Sequence, residues 1–239
     1  MDVEMTPGEH PDGELSDLNI RRALVAAISR ADRERAGQLL DYWAARHGYA
    51  AAYKDLLEPA LKRIGRGINS ERFSLAQAYV AAKVAEDMLT KSAGSFAQNS
   101  EQRTAKGPVV LGNAEEDFHA LGRRMVATML RSSGWVVCDL GNDVPAAEFV
   151  DKAIEIGARV IGVSAMTVTT ALNIKEVRRE LDARGLSGRI QLAVGGAVFL
   201  VADGLCDEVG GDGTAPDMLE APHLFAELWA RGERFEDAR

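Results

Sequence analysis

Short apolar runs alternate with amphipathic stretches through the second half of the chain, and this alternation constrains the fold more than any other feature. Each run is followed by residues with the apolar spacing of a helix. The apolar runs are residues 109–111, 135–140, 160–163 and 190–194, and a last strand–helix unit follows from residue 207. Such alternation is typical of a parallel sheet covered on both faces. It predicts an α/β domain over residues 108–239 with a Rossmann-like (flavodoxin-like) five-stranded parallel sheet.

The first part of the chain has a different pattern. Residues 18–92 contain a single proline, Pro59, and are rich in Ala, Leu, Glu, Lys and Arg, with apolar residues at helical spacing. They predict a small antiparallel bundle of four helices. Residues 93–107 are polar and lack an apolar period, which is typical of a linker. Residues 1–17 are acidic and polar, so we expect a disordered tail rather than a secretory signal or a transit peptide.

Charge and cysteine content exclude several classes of protein. The chain has 28 Lys and Arg against 36 Asp and Glu, a net charge of −8, which disfavours binding to the phosphate backbone of nucleic acids. No apolar run approaches the ~20 residues that a membrane span needs. The two cysteines, Cys138 and Cys206, form neither a C-x-x-C motif nor a metal-ligand spacing. We therefore expect a reduced cytoplasmic protein that binds neither nucleic acid nor membrane.

The residues that follow the predicted strands are the candidates for function, because ligands on parallel sheets bind at the carboxyl ends of the strands. Three of these ends carry residues that one ligand could contact together. They are Asp117, His119 and Gly122 after the first strand, Ser164 after the third, and Gly195 and Gly196 after the fourth. A lone histidine at a helix start is commonly a surface residue, and a Gly-Gly pair is commonly a tight turn. Their combination at one edge of the sheet favours a binding site.

The order and spacing of these residues resemble the cobalamin-binding domains, in which D-x-H-x-x-G is followed by S-x-L or S-x-V and then by G-G. Here 41 residues separate Gly122 from Ser164, and 28 separate Met166 from Gly195, which matches the spacing of that family. Three further segments are similar to family segments: residues 139–145 (DLGNDVP), 167–170 (TVTT) and 211–215 (GDGTA).

The resemblance implies that the protein binds cobalamin, as methylcobalamin or a related corrinoid, with the cofactor's own base displaced and His119 on the cobalt (base-off/His-on). Neutral imidazole is a good ligand for transition metals. A metal-bound imidazole needs an acceptor for its other N–H, and Asp117, two residues away, can supply one. Ser164, from a neighbouring strand end, would extend this relay by a hydrogen bond to Asp117. These three residues are the predicted catalytic group.

The resemblance also implies which residues contact the cofactor. In the α/β domain they are Asp117, Phe118, His119, Leu121, Gly122, Ser164, Met166, Thr167, Val194, Gly195, Gly196, Gly213 and Thr214. Residues 61–82 resemble the helical cap that precedes the cobalamin domain in corrinoid proteins of methyltransferase systems and shields the upper face of the cobalt. The cap candidates are Phe73, Leu75 and Tyr79. Three positions depart from the family: Glu116 stands where many relatives have a glycine, Met166 replaces the Leu or Val of the serine motif, and Val168 interrupts the threonines.

Two functions fit this resemblance. A corrinoid protein would carry a methyl group, through Co(I) and methyl-Co(III), from a methyl-donor methyltransferase to an acceptor methyltransferase. It would need a reductive activase as a further partner and would not be a complete catalyst alone. A cobalamin-dependent regulator would instead change its protein contacts in response to light or redox state.

Different segments favour each function. Residues 119–127 (HALGRRMVA) and 130–135 (LRSSGW) resemble the regulators, because methyl carriers more often have H-D-I-G-K after the first motif. The DLGNDVP segment and the threonine cluster resemble the carriers, and we expect a carrier. The cobalamin subunit of a mutase is a third class, and it would need a large barrel supplied by a partner subunit.

Overall fold

The computed structural model describes residues 17–69, 74–97 and 106–237. The chain divides into two units, one within residues 1–94 and the other within residues 95–239. The predicted tail lies outside the described residues except for Asp17. Residues 98–105 of the predicted linker and the cap candidate Phe73 lie outside them as well.

The N-terminal unit consists of helices in the part of it that is described. Its elements are α1 (Asp17–Ser29), α2 (Arg33–His47), α3 (Tyr49–Ala51), a π-helical segment (Ala52–Leu57), α4 (Glu58–Asn69) and α5 (Leu75–Ala97). The helix α3, the π-helical segment and α4 follow one another without a break and form one long helix. The described part of the unit therefore has four helices, as the sequence predicts. Apolar side chains such as Leu24, Ile28 and Leu56 are fully buried and form its core.

The π-helical segment has a local cause in the sequence. It is followed by Pro59, which lacks a backbone N–H and whose ring clashes with the carbonyl four residues earlier in a regular helix. The backbone N–H of Glu58 donates instead to the carbonyl of Tyr53, five residues back, and this wider turn makes room for the ring. The helix therefore continues past the proline.

The second unit is a parallel sheet of five strands between two layers of helices. The strands are β1 (Lys106–Asn113), β2 (Trp135–Asp139), β3 (Val160–Ser164), β4 (Gln191–Gly195) and β5 (Gly213–Thr214). The helices are α6 (Ala120–Ser132), α7 (Ala146–Ile156), α8 (Val168–Leu172), α9 (Ile174–Ala183), α10 (Leu205–Glu208) and α11 (Ala221–Asp237), and a 3-10 turn lies at Ala197–Leu200. The strand order β2-β1-β3-β4-β5 is that of flavodoxin and confirms the predicted fold class.

Apolar clusters cover both faces of this sheet. One cluster includes Phe149 of α7 and Leu181 of α9, and the other includes Trp135 of β2 with Phe225 and Leu228 of α11. Burial on both faces explains why the central strands are continuous apolar runs rather than alternating ones. Among the residues that the structure describes, no helix is both long enough and apolar enough to span a bilayer.

The strand order places a crevice at the carboxyl end of β1. From β1 the chain passes to β2 on one side of the sheet and then to β3 on the other, and ligands on such sheets bind at this switch point. Asn113, Ser164 and Gly195, the last residues of β1, β3 and β4, are aligned in register and form one row along this edge. The loops that follow these three strands hold the candidate site.

Candidate functional site at the carboxyl edge of the sheet

His119 lies at the centre of the loop between β1 and α6. It is the residue that precedes α6, and its side chain, 61% exposed, makes no capping hydrogen bond to that helix. Its Nδ1 atom lies 3.3 Å from Oδ1 of Asp117. Its Nε2 atom has no hydrogen-bond partner among the described residues. The ring is therefore held on one side by a carboxylate and presents a free nitrogen on the other.

Asp117 is fully buried, and donors converge on both of its carboxylate oxygens. Oδ1 accepts the backbone N–H of His119 and the side-chain amide of Asn113, each at 2.9 Å. Oδ2 accepts the backbone N–H of Met166 at 2.7 Å and the hydroxyl of Thr170 at 2.8 Å. Burial alone would raise the pKa of Asp117, but these hydrogen bonds outweigh burial and leave its pKa below the ordinary value. The carboxylate is thus kept ionised and fixed in orientation.

The hydroxyl that reaches Asp117 belongs to Thr170 and not, as the sequence analysis expected, to Ser164. Ser164 is half-buried at the end of β3, where its carbonyl accepts the backbone N–H of Ala114, and its side chain makes no hydrogen bond to Asp117. Thr170 is held in place by Thr167, the residue that caps α8, through reciprocal hydrogen bonds between their side chains and backbones. The helix cap therefore decides which hydroxyl of the threonine cluster faces the carboxylate.

Arg123, a buried residue in the first turn of α6, is a member of the site that the sequence analysis missed. Its Nε donates to Oδ1 of Asn113 at 2.8 Å, and its guanidinium also binds Oδ1 of Asn142 at 3.1 Å and pairs with Asp139. Burial lowers the pKa of Arg123, with smaller contributions from two nearby arginines. The sequence signal that could have found it is an arginine one turn after His119 together with a polar residue, Asn113, at the end of an apolar strand.

Two loops hold each other in strained backbone conformations beside His119. Glu116 has φ +65° and Asp143 has φ +54°, a region that residues with side chains rarely adopt. The backbone N–H of Glu116 donates to Oδ1 of Asp143 at 2.7 Å, and the backbone N–H of Asp143 donates to the carbonyl of Asp117 at 3.1 Å. Glycine, which the resemblance implies at position 116, would adopt this φ without strain.

Glycines at the site differ in what requires them. Gly196 has φ +114°, and a Cβ there would meet the carbonyl oxygen of Ala165 at 2.0 Å, so the chain itself requires glycine at that position. Gly122 and Gly195 have no positive φ, and a Cβ on either would meet nothing within 4 Å. Neither packing against the described residues nor backbone conformation accounts for these two glycines. Open space beside them fits the close approach of a ligand.

The remaining predicted residues occupy several different environments. Phe118 and Met166 are 65% and 46% exposed, which is unusual for side chains of this size and leaves apolar surface beside His119. Thr167 is exposed and Leu121 is half-buried. Val194 is buried in the apolar core, so its side chain serves packing.

The candidates on β5 and in the N-terminal unit complete the set. Thr214 is exposed at the end of β5, whereas a Cβ on Gly213 would meet Leu224 at 2.7 Å, so helix packing requires glycine there. In the N-terminal unit Tyr79 is 63% exposed, and Leu75 begins α5 with its side chain outside the described residues.

Comparison with known proteins gives the class to which this fold and site belong. The family model for the B12 binding domain matches residues 107–222. Dimethylamine corrinoid protein 2 of Methanosarcina mazei is 41% identical over 122 residues, which cover 51% of this chain and 56% of that protein. Dimethylamine corrinoid protein 3 of the same organism is 34% identical over 167 residues, which cover 69% of this chain and 98% of that protein. The chain spans little more than half the length of the first of these relatives.

A solved structure has the same fold. The monomethylamine corrinoid protein of Methanosarcina barkeri superposes with a TM-score of 0.78 at 24% identity, over 89% of this chain and 100% of that one. Fold and site thus define a cobalamin-binding α/β protein. The chain belongs to the family of corrinoid proteins that carry a B12-binding domain, which confirms both the resemblance seen in the sequence and the predicted cofactor class.

The residues of the edge fit a corrinoid. Nε2 of His119 has no hydrogen-bond partner among the described residues and could bind a metal, and Asp117 contacts the opposite nitrogen, an arrangement that suits a metal-bound histidine. The open space at Gly122 and Gly195 admits a group that passes close to the backbone. Exposed Phe118 and Met166 supply apolar contacts for a large ring.

Proposed function

We propose that this protein is a methyl carrier that binds a corrinoid base-off, with His119 on the cobalt, and works between partner methyltransferases. The observation that carries the proposal is the Asp117–His119 pair, a fully buried carboxylate against Nδ1 of a largely exposed imidazole. When bound, the corrinoid supplies a cobalt centre that accepts a methyl group in its Co(I) state and gives it up to an acceptor. The chain supplies binding, orientation and the lower ligand.

Asp117 would act on the ligand through its negative charge. An N–H donated from Nδ1 to an ionised carboxylate fixes the tautomer in which Nε2 carries the lone pair and makes that nitrogen a better donor. The converging donors at Oδ1 and Oδ2 keep the carboxylate ionised and hold its plane. The site is therefore arranged to hold an imidazole ligand before the cofactor arrives.

The partners follow from the same proposal. A carrier needs a donor methyltransferase, an acceptor methyltransferase and a reductive activase that restores Co(I). The relatives are named for dimethylamine, so a methyltransferase for methylated amines is the donor to try first. The cap role of Phe73, Leu75 and Tyr79 stays a prediction from the resemblance.

Electron paramagnetic resonance of the Co(II) form tests the lower ligand. The protein is labelled uniformly with nitrogen-15 and reconstituted with unlabelled cobalamin. We expect the superhyperfine splitting to change on labelling, because a protein nitrogen, that of His119, would bind the cobalt. The His119→Ala variant should lose this change, whereas His223→Ala, which alters another exposed histidine, should keep it. A pattern that is insensitive to protein labelling contradicts histidine ligation.

A methyl-transfer assay separates the carrier from the regulator. The reduced protein is mixed with a methyl donor and its methyltransferase, and the visible spectrum should change to that of the methylated cofactor. Size-exclusion chromatography in the dark and in the light should show one unchanged oligomeric state. If light or the upper ligand changes assembly, and no methyltransferase methylates the reduced protein, the regulator interpretation replaces the carrier.

A further inference from the structure

Arg123 is the least exposed cation described at the carboxyl edge, and its contacts continue inward from the Asp117–His119 pair. Only 7% of it is exposed. It lies in α6, one turn after His119. It binds Asn113 at the end of β1, Asp139 at the end of β2 and Asn142 in the loop after β2. An unbroken series of hydrogen bonds therefore runs from Arg123 through Asn113 and Asp117 to His119.

We propose that Arg123 is a positioning residue for the cobalt ligand, acting through Asn113 and Asp117 on the tautomer and orientation of His119. The proposal rests on the proposed function, in that His119 is taken as the ligand. Arg123 itself does not touch His119 or the cofactor in this account. Arg123 holds Asn113 in place, and Asn113 in turn helps to hold the carboxylate of Asp117.

The argument starts from the chemistry of the two side chains. A guanidinium only donates hydrogen bonds, so the oxygen of the Asn113 amide has to face Arg123. The amide nitrogen of Asn113 then has to face Asp117, where it donates to Oδ1. The ionised carboxylate of Asp117 only accepts hydrogen bonds, so it requires the same orientation of the amide. Arg123 and Asp117 together fix Asn113 as a donor to Asp117, and Arg123 holds the oxygen end of that amide in place.

The oxygen that Asn113 reaches is the one that holds the imidazole. Oδ1 of Asp117 also faces Nδ1 of His119, whereas Oδ2 is occupied by Met166 and Thr170. Besides the imidazole, Oδ1 has two donors, the side-chain amide of Asn113 and the backbone N–H of His119, each at 2.9 Å. Loss of the Asn113 donor would leave the backbone N–H of His119 as the remaining donor to Oδ1, so the carboxylate would be less firmly oriented toward Nδ1.

The charge of Arg123 is balanced locally. Asp139 pairs directly with the guanidinium, so the buried cation is not an unpaired charge beside the site. This pairing also offers a purely structural explanation for the buried arginine, in which Arg123 only joins α6 to the end of β2. The two explanations differ in whether removal of Arg123 changes the state of the His119 ring.

The first test uses the protein without cofactor. Long-range proton–nitrogen correlation spectra report which ring nitrogen of His119 carries the proton, at a pH where the ring is neutral. We expect the Nδ1–H form to dominate in the wild type and to lose that dominance in Arg123→Met, which removes all donors at similar length. Arg123→Lys should show an intermediate effect, because an ammonium cannot bind three acceptors in the planar geometry of a guanidinium.

The matched control is Arg178→Met. Arg178 is also a partly buried arginine paired with an aspartate, Asp212, at 2.6 Å, but no contact connects it to Asp117. Unfolding in urea should show a loss of stability in both Met variants. Only Arg123→Met should alter the His119 tautomer. An unchanged tautomer in a folded Arg123→Met protein overturns the proposal and leaves the structural explanation.

The second test uses the protein with cobalamin. In Arg123→Met the ratio of histidine-bound to histidine-free Co(II), read from electron paramagnetic resonance, should fall by about 3–10-fold, somewhat less than the 10–100-fold typical of a direct partner of a metal ligand. A ratio equal to that of the wild type counts against the proposal. If the wild type itself shows no histidine nitrogen, the proposed function fails, whereas the result without cofactor still decides the role of Arg123.

A second variant covers the case in which Arg123→Met does not fold. Asn113→Leu keeps a similar volume and removes the N–H donor to Asp117 without adding an ionisable group. We expect it to shift the His119 tautomer in the same direction. A folded Asn113→Leu protein with the tautomer of the wild type overturns the proposal on its own.

Discussion

Two hydrogen-bond networks in the α/β unit each contain an arginine paired with an aspartate, but they lead to different groups. In the first, Arg123 leads through Asn113 and Asp117 to the exposed ring of His119. In the second, Arg178 pairs with Asp212 near the edge of the sheet, and the contacts beyond them are backbone groups. In this protein, the two networks differ in whether their hydrogen bonds continue to an exposed side chain, and only the one that reaches His119 lies at the candidate site.

The second network closes the edge of the sheet. Nε of Arg178 donates to the carbonyl of Gly210 at 2.7 Å, and the carboxylate of Asp212 accepts the backbone N–H of Leu192 at 2.6 Å. The backbone N–H of Asp212 in turn donates to the carbonyl of Leu192 at 2.7 Å. These contacts replace ladder hydrogen bonds where β5 is only two residues long, so their role is to hold β5 on β4.

The networks also differ in their backbone conformations. The first is bordered by Glu116 and Asp143, which carry side chains at positive φ. The second makes its turn with Gly210 at φ +77°, where glycine adopts that conformation without strain. Backbone strain therefore occurs beside His119 and is absent from the turn at Gly210. This agrees with the tendency of strained residues to lie at functional sites.

The largest expected effect separates stability from ligation within the first network. Asp117→Ala should lower the free energy of unfolding by about 3 kcal/mol or more, because several buried donors lose their acceptor at about 1–3 kcal/mol each. His119→Ala should change it by less than about 0.5 kcal/mol, since the ring is mostly exposed, but should abolish ligation to cobalt. Urea unfolding and electron paramagnetic resonance measure the two quantities.

Asp212→Ala is the control in the second network. It should destabilise the protein to a similar degree and leave the labelling-dependent splitting in place. A loss of the histidine ligand in the folded Asp212→Ala protein would show that the two networks are coupled, and the comparison would not hold.

Alanine substitution of a glycine should raise the stability of the protein at the first network and lower it at the second. Gly122→Ala, beside the first network, should stabilise the protein without cofactor by about 0.5–1 kcal/mol, because a helical position gains a better helix former. The same change should weaken cobalamin binding by filling the open space. Gly211→Ala, beside the second, should destabilise by about 1–3 kcal/mol because of overpacking, since its Cβ would meet Val194 at 2.9 Å.

Thermal unfolding and titration with cobalamin check both halves of this prediction. Unchanged cobalamin affinity in Gly122→Ala would mean that no ligand passes close to this glycine. The fit of the edge to a corrinoid would then rest on His119 and the exposed apolar side chains alone.

Relief of strain should give a smaller gain. A residue with a side chain at positive φ costs roughly 1–2 kcal/mol, and the freedom of glycine in the unfolded chain takes back up to about 1 kcal/mol. Glu116→Gly should therefore raise the free energy of unfolding by about 0.5–1 kcal/mol. The neighbouring exposed Glu115, which has no positive φ, is the matched control, and Glu115→Gly should lower stability. Equal effects of the two variants in urea unfolding would contradict the strain argument.

The smallest expected effect is a pH dependence at the second network. Burial, helped by Asp207 and Asp212, raises the pKa of the Cys206 thiol. The Cys206 thiol ionises at about pH 8.5 in the unfolded chain, whereas in the folded protein it ionises only at higher pH. Stability from this group is therefore full below that pH and falls as the pH rises through the raised pKa of the folded protein. Unfolding of reduced wild type and Cys206→Ala between pH 7 and 10 should show a steeper decline in the wild type; parallel curves would argue against it.

The sequence by itself determined the parallel sheet and the edge at which the site lies. Apolar runs with helical stretches between them leave few topologies, and the carboxyl ends of parallel strands meet at one edge. The Asp117–His119 contact was also within reach of the sequence, because two residues in one short loop stay close in any fold. The sequence also places Gly122, Ser164 and Gly195 at this edge, because each lies at or just after the carboxyl end of a predicted strand.

Only the tertiary structure decided which groups complete the site. Ser164 ends β3 and Thr170 lies in the helix that follows. The cap formed by Thr167 turns the hydroxyl of Thr170, 53 residues from Asp117, toward the carboxylate. Arg123 reaches Asn113 because α6 packs back against the sheet. Residue spacing sets which strand end a side chain belongs to, but its direction depends on backbone dihedral angles and rotamers that distant contacts select.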